Sequence, residues 1–235
     1  MISIVCFYWG TRFAPEYVNR LMSGVRRNLQ LEHRFFCITN QPEGFDPEVH
    51  VLPLWNWGAR TRRCFRRLKL LSEEMRPLLG DRILLLDLDT VILDSLDPLL
   101  DVSDPVVVYR CPSTARRGYA LNPSFLLFDT GALEHLWQIA RKQGTRTMKL
   151  ANAAGWSGSD QALISYLCDG QVRTYGADDG ILSMRDDILR DGRSVAGARM
   201  VSFYGGRKGI KQGRSFLPHF PSMQQRFPWI QEHWR

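Results

Sequence analysis

Apolar runs alternate along the chain with stretches of helical period. ISIVCFY (2–8) reads as a buried strand, and Pro15 then opens a helix whose apolar face is Val18, Leu21, Met22, Val25 and Leu29. RFFCIT (34–39) and VHVLPL (49–54) are further strands. Cys64, Leu68, Leu71, Met75 and Leu78 form a helical stripe that Gly80 stops. RILLLDLDTVIL (82–93) then reads as another buried strand. The first hundred residues thus run β-α-β-β-α-β, the rhythm of a sheet covered by helices.

Beyond residue 100, PVVVY and SFLLF are strands, GALEHLWQIA and SDQALISYLC helices, RMVSFYG a late strand and RFPWIQEHWR a closing helix. The segment from Lys142 to Gly158 is polar and poorly periodic, as is GGRKGIKQG (205–213), and both read as loops. There is no repeat, low-complexity tract or linker, so one α/β domain over 1–235 is the economical reading, with a half over 1–100 and a second over 101–235. In such a sheet, ligands sit at the strand ends.

The run 82–93 poses a chemical question. Asp87 and Asp89 interrupt it, and an unpaired buried carboxylate costs several kcal/mol. Positions two apart on a strand share a face, so both carboxylates aim at one spot. That suits a hard divalent cation neutralising a diphosphate. It also fits an aspartate nucleophile of the haloacid-dehalogenase-like phosphatases, whose D-x-D-x-[T/V] pattern is met by Asp87, Asp89 and Val91. That motif normally lies on the first strand, whereas here a β-α-β-β-α unit precedes it. The third possibility is a strand end whose aspartates cap turns.

Charge narrows the partners. The 235 residues include 31 Lys plus Arg against 24 Asp plus Glu, a net +7, which favours an anionic partner. The basic runs RTRRCFRRLK and GGRKGIKQGR come without zinc spacing or an RNP-type aromatic strand, which excludes nucleic acid as the leading reading. The five scattered cysteines contain no C-x-x-C and read as reduced core thiols of a cytoplasmic protein. MISIVCFYWG lacks a basic n-region and reads as a first strand, not a signal peptide. No apolar run nears the ~20 residues that span a bilayer.

Several motifs in order carry a family resemblance: YWGTRFAPEYVNRL with RNLQLEHRFFCITN, RRLKLLSEEMRPLLGDRILLLDLDTVIL, LNPSFLLFDTG, GSDQALI, ILSMRDDI, VSFYGGRKG and PWIQEHWR. The chain resembles the GT-A-fold nucleotide-sugar glycosyltransferases, specifically bacterial relatives of glycosyltransferase family 8, nearly end to end. The resemblance implies a Rossmann-like domain with a mixed, mostly parallel central sheet flanked by helices. Its first half would bind nucleotide and its second sugar and acceptor. It implies transfer, with retention, of a sugar from a nucleoside diphosphate (UDP in the family) to a glycan or lipid-linked acceptor. A non-catalytic nucleotide-sugar-binding protein would carry many of the same residues. The setting implied is cytoplasmic, with peripheral contact to anionic lipid at the inner membrane face.

Residue by residue, the resemblance puts Mn²⁺ or Mg²⁺ on Asp87 and Asp89, and base and ribose near Trp9, Gly10, Thr11, Tyr17 and Asn40. Trp9 and Tyr17 are equally at home in a core. Lys69 and Lys208 would pair with phosphate oxygens; Lys69 also suits a solvated face shared with Arg62, Arg66 and Glu73. Asn122 and Ser124 would meet the sugar, although turn chemistry around Pro123 favours the same types. Asp160 and Gln161 would be the catalytic and sugar-binding pair, with a helix N-cap as the local alternative for Asp160. Three departures stand out. Tyr204 and Ser202 replace histidines of the family, the first of them a metal ligand; Gly209 replaces a proline; and the S-Y-K segment reads Ser183, Met184, Arg185. A phenol with a pKa near 10 is a poor ligand at neutral pH, and nothing in the sequence places His219 as a substitute.

Overall fold

The computed structural model describes residues 1–55, 63–112, 121–156, 160–204 and 217–235. Strand β1 (Ile2–Tyr8) is followed by helix α1 (Glu16–Asn28), β2 (His33–Thr39) and β3 (His50–Pro53). A 3-10 stretch, Arg63–Leu71 and Glu73–Met75, leads into α2 (Arg76–Leu79), β4 (Arg82–Leu86) and β5 (Thr90–Ile92). Then come α3 (Asp97–Leu100), β6 (Val106–Arg110), β7 (Leu121–Asp129), α4 (Glu134–Ala153) and α5 (Asp160–Cys168). The chain closes through β8 (Arg173–Tyr175), β9 (Ile181–Ser183), a π-helical segment Met184–Arg190, β10 (Met200–Ser202), α6 (Pro221–Arg226) and α7 (Trp229–His233).

Seven strands form one sheet in the order β3-β2-β1-β4-β7-β6-β8. β1 runs parallel to β2 and β4, and β2 to β3; β7 is antiparallel to β4 and β6, and β8 parallel to β6. Both halves of the chain meet in this sheet at the β4–β7 pairing. Alternation fills its two faces separately: Ile4, Cys6, Tyr8, Leu84 and Leu86 enter one core, and Val5, Phe7, Ile83 and Leu85 the other. β5, β10 and β9 form a second, smaller sheet. The five cysteines are thiols and form no disulfide, and four of them are buried. Among the described residues no helix is long and apolar enough to cross a membrane.

Three expectations need correction. The run 82–93 is not one strand. β4 ends at Leu86, Asp87 to Asp89 make a turn, and β5 belongs to the other sheet. The ladder to β7 gives out here, its last contact being the Asp87 N–H donating to the Ser124 carbonyl at 3.2 Å. The stripe from Cys64 to Leu78 is mostly 3-10 helix. Ser72 takes an extended backbone and its hydroxyl caps the Glu74 N–H, restarting the helix. Gly80, at φ 78°, stops it as expected. Finally, much of the polar stretch after Lys142 is helical. α4 kinks at Gln143 (φ −137°) and continues to Ala153, burying the small Thr147 and Ala151 instead of large apolar residues. The GGRKGIKQG stretch, and Lys208 and Gly209 with it, lies outside the described residues.

Candidate active site

The carboxyl edge of β4 gathers the charged chemistry. Asp160 opens α5 and is almost fully buried, at 2% exposure. Arg67, 6% exposed, donates from Nε and Nη2 to Asp160 Oδ2 at 2.9 and 2.6 Å. Its Nη1 donates to Asp87 Oδ1. Burial works against the Arg67 charge, and the carboxylates of Asp160 and Asp87 outweigh it. One guanidinium thus joins two carboxylates drawn from residues 93 and 20 positions away in sequence.

Asp89 is less well served. Its carboxylate is 7% exposed, and Arg12, itself 56% exposed, lies 3.4 Å away. Burial, and then the neighbouring Asp87 charge, push Asp89 up to about 6, with Arg12 opposing. Burial likewise raises Asp87, with the Arg67 charge opposing it. Among the described residues, Asp87 and Asp160 meet the buried Arg67 guanidinium and Asp89 the exposed Arg12. Among the described residues no group of three or more His, Cys, Asp or Glu side chains is arranged to hold a metal. A cation on Asp87 and Asp89 would need its remaining ligands from elsewhere.

β7 supplies the neutral polar groups. Asn122 and Ser124 are fully buried. Asn122 Oδ1 accepts from the Ser124 N–H at 3.0 Å and from Gln161 Nε2 at 2.9 Å. That leaves Asn122 Nδ2 and Ser124 Oγ buried and unpartnered, a costly state for groups that a ligand would satisfy. Arg67 thus links Asp160 to Asp87, Asn122 links Gln161 to Ser124, and the Asp87 N–H to the Ser124 carbonyl joins the two sets. The Asp160 carboxylate accepts from Arg67.

The other candidates separate into two groups. Trp9, Gly10, Thr11 and Asn40 follow the ends of β1 and β2, on the same carboxyl edge as Asp87. Gly10 has φ 71°, which a residue with a Cβ adopts only with strain. Trp9 is half-buried, its ring edge-on to Phe7 with the Arg66 guanidinium 5.4 Å from its centroid. Lys69 Nζ lies 5.5 Å from the Trp55 ring. Tyr17 is a core residue. Its ring packs on Phe13 and Trp234 at 4.7 and 5.0 Å, and its hydroxyl meets His219 Nδ1. That contact accounts for His219 as a strut of the carboxyl-terminal segment.

Tyr204 is buried, with its hydroxyl against Cys111 Sγ and 3.4 Å from Asp186 Oδ2. Its chain neighbour Phe203 donates its N–H to the Asp89 carbonyl at 2.8 Å. The backbone here runs beside the acidic turn while the tyrosine side chain serves the Cys111–Asp186 contact.

Sequence reasoning missed Arg67. A signal was present: positions 64, 67, 68 and 71 follow the i, i+3, i+4, i+7 rule, so Arg67 falls on the apolar stripe. A charge there needs a buried partner, and Asp160 is it.

No family model matches the chain, and no curated protein matches it in sequence. Solved structures do match in shape. The galactosyltransferase LgtC in complex with donor and acceptor sugar analogs superposes with a TM-score of 0.61 at 15% identity, covering 98% of this chain and 96% of that one. An active-site mutant of LgtC gives 0.61 at 14%, covering 98% and 95%. The seven-stranded, mostly parallel sheet flanked by helices is thus the GT-A glycosyltransferase fold.

Proposed function

We propose that the chain is a nucleotide-sugar glycosyltransferase that uses a UDP-sugar donor, a glycan or lipid-linked acceptor, and Mn²⁺ or Mg²⁺. The observation that carries this reading is the buried constellation at the β4 edge, where Arg67 joins Asp87 to Asp160 and β7 leaves Asn122 Nδ2 and Ser124 Oγ unpartnered. LgtC, which shares the fold, binds donor and acceptor sugar analogs, and that supports the same two ligand classes here.

Asp87 and Asp89 would hold the cation. They fit one: two mostly buried carboxylates offer hard oxygens, and burial first, then the Asp87 charge, make Asp89 costly to ionise without a cation. Phosphate oxygens and water would complete the shell. The bound cation supplies charge neutralisation for the departing diphosphate. Arg67 fixes Asp160 at the start of α5, where its carboxylate would meet sugar hydroxyls alongside Gln161, Asn122 and Ser124. Trp9, Gly10, Thr11 and Asn40 would receive base and ribose, and Lys69 and Lys208 the phosphates. Tyr17, already committed to His219 and Trp234, would support that region from beneath. Retention at the anomeric carbon and a cytoplasmic setting belong to the same reading.

Calorimetry with UDP, with and without Mn²⁺, tests it, followed by UDP release from a panel of UDP-sugars. Metal-dependent UDP binding with turnover is expected. Trapping of a phosphoryl analogue on Asp87 without nucleotide affinity would instead identify a phosphatase. Binding without UDP release from any donor would identify a non-catalytic binder.

A further inference from the structure

Two guanidinium groups meet the acidic turn, and they are held very differently. Arg67 is buried and clamped, donating to Asp160 at 2.9 and 2.6 Å and through a third nitrogen to Asp87. Arg12 touches Asp89 through one nitrogen, Nη2 to Oδ2, at 3.4 Å. That is longer than the ~2.7–3.2 Å of a well-made N–H···O bond. The Arg12 side chain is mostly open to solvent, whereas that of Asp89 is buried. Its guanidinium also lies 4.8 Å from the centroid of the Phe13 ring, which packs in turn on Tyr17.

Among the described residues, Arg12 is the cation in contact with Asp89. Burial raises Asp87 and Asp89, and the Arg12 charge is among those opposing that push at both. Placement explains the reach. Arg12 lies in the turn that follows β1, on the edge that carries Trp9, Gly10 and Thr11, and β1 runs parallel to β4. An arginine built as a permanent substitute for a cation needs burial and several donors on its carboxylate, as Arg67 has. Arg12 has neither.

We infer that Arg12 is an exchangeable countercharge, pairing with Asp89 in the free protein, yielding that carboxylate to the divalent cation, and then turning to the phosphate oxygens of the nucleoside diphosphate. The inference rests on the glycosyltransferase reading and on a cation at Asp87 and Asp89. A loose pair open to water costs little to break. A divalent cation repels a guanidinium, so its arrival at Asp89 drives Arg12 away. The Phe13 ring gives the released guanidinium a resting place on the same edge, and its planar fork matches phosphate oxygens. One side chain thus acts on the two ligands with opposite signs: it competes with the metal and attracts the nucleotide.

Arg12→Gln tests this on the full chain, with free Mn²⁺ followed by electron paramagnetic resonance and UDP by calorimetry. Without nucleotide the variant should bind Mn²⁺ about fivefold more tightly than the wild type, which corresponds to losing a half-exposed ion pair. In saturating Mn²⁺ it should bind UDP about fivefold more weakly. Arg12→Lys, which keeps the charge, should stay close to the wild type on Mn²⁺. Unchanged or weaker Mn²⁺ binding in Arg12→Gln, or unchanged UDP binding, would overturn the inference; wild-type UDP binding that depends on Mn²⁺ would still uphold the glycosyltransferase reading. A wild type that binds UDP equally with and without Mn²⁺ would remove the cation and this inference together. A wild type that binds no UDP would remove the glycosyltransferase reading as well.

Discussion

Arg67 holds Asp160 through two nitrogens, at 2.9 and 2.6 Å, and both side chains are nearly closed off from solvent. Breaking a buried ion pair from one side strands the other charge, which costs roughly 3–5 kcal/mol. Arg67→Met should therefore cost stability on that order in chemical denaturation. Arg67→Lys should recover only part, because an ammonium lacks the planar fork that reaches Asp160 and Asp87 together. Loss well under 1 kcal/mol in the Met variant would mean that the pair is not buried in solution.

Asp89 makes a pH prediction with a definite sign. Its folded pKa, pushed up to about 6 by burial first, lies above the ordinary carboxylate value of about 3.9. The folded state thus holds this proton more tightly than the unfolded chain, and stability falls as pH rises through that window. Comparing wild type with Asp89→Asn reads this proton together with its coupling to Asp87. Metal-free wild type should lose up to about 3 kcal/mol relative to the variant between pH 4 and 7. A difference that does not change with pH would show that Asp89 already has a countercharge.

Metal and nucleotide should assist each other. Two carboxylates hold a hard cation weakly until further oxygens arrive, so Mn²⁺ and UDP should each tighten the other by the same factor in paired titrations. Asp87→Asn and Asp89→Asn should abolish that enhancement and lower turnover by orders of magnitude while the fold persists, as circular dichroism would report. Full activity of both variants in excess chelator would exclude the metal role.

Tyr204 should behave as a packing residue. Its hydroxyl contacts Cys111 and Asp186, so Tyr204→Phe should cost about 0.5–1.5 kcal/mol of stability. Mn²⁺ titration in the absence of nucleotide should be unchanged in that variant. A wild type that binds Mn²⁺ tightly without UDP, and loses it in the Phe variant, would make the phenol a ligand after all.

The sheet was legible because its evidence is local. Apolar runs bounded by Pro15 and Gly80 fix where strands and helices fall, and their alternation fills two faces. The acidic pair was visible for the same reason, being two charges in an apolar run, although it reads there as part of a strand and not as a turn. What escaped depends on contacts distant in sequence. Nothing local says that the strand ends at Leu86, because the pairing that ends there is with β7, some 40 residues on. The continuation of α4 past Gln143 was hidden because its buried side uses Thr147 and Ala151, which leave no apolar stripe to see. Arg67 escaped because its partner Asp160 lies 93 positions away. Tyr204 was read by alignment to a motif, and its actual partners, Cys111 and Asp186, come from elements that the motif does not contain.

The turn between β4 and β5 has a mechanical meaning. Asp87 is fastened to the large sheet by the Ser124 carbonyl, whereas the Asp89 carbonyl is fastened to Phe203, which follows β10 of the small sheet. The two carboxylates therefore behave as the jaws of a vice mounted on separate plates. Their gap is set by how the plates meet and not by the pitch of one strand. Any substitution that shifts the β5-β10-β9 plate, even one far from the aspartates, would change the bite, and with it the ion that the proposed metal site would accept.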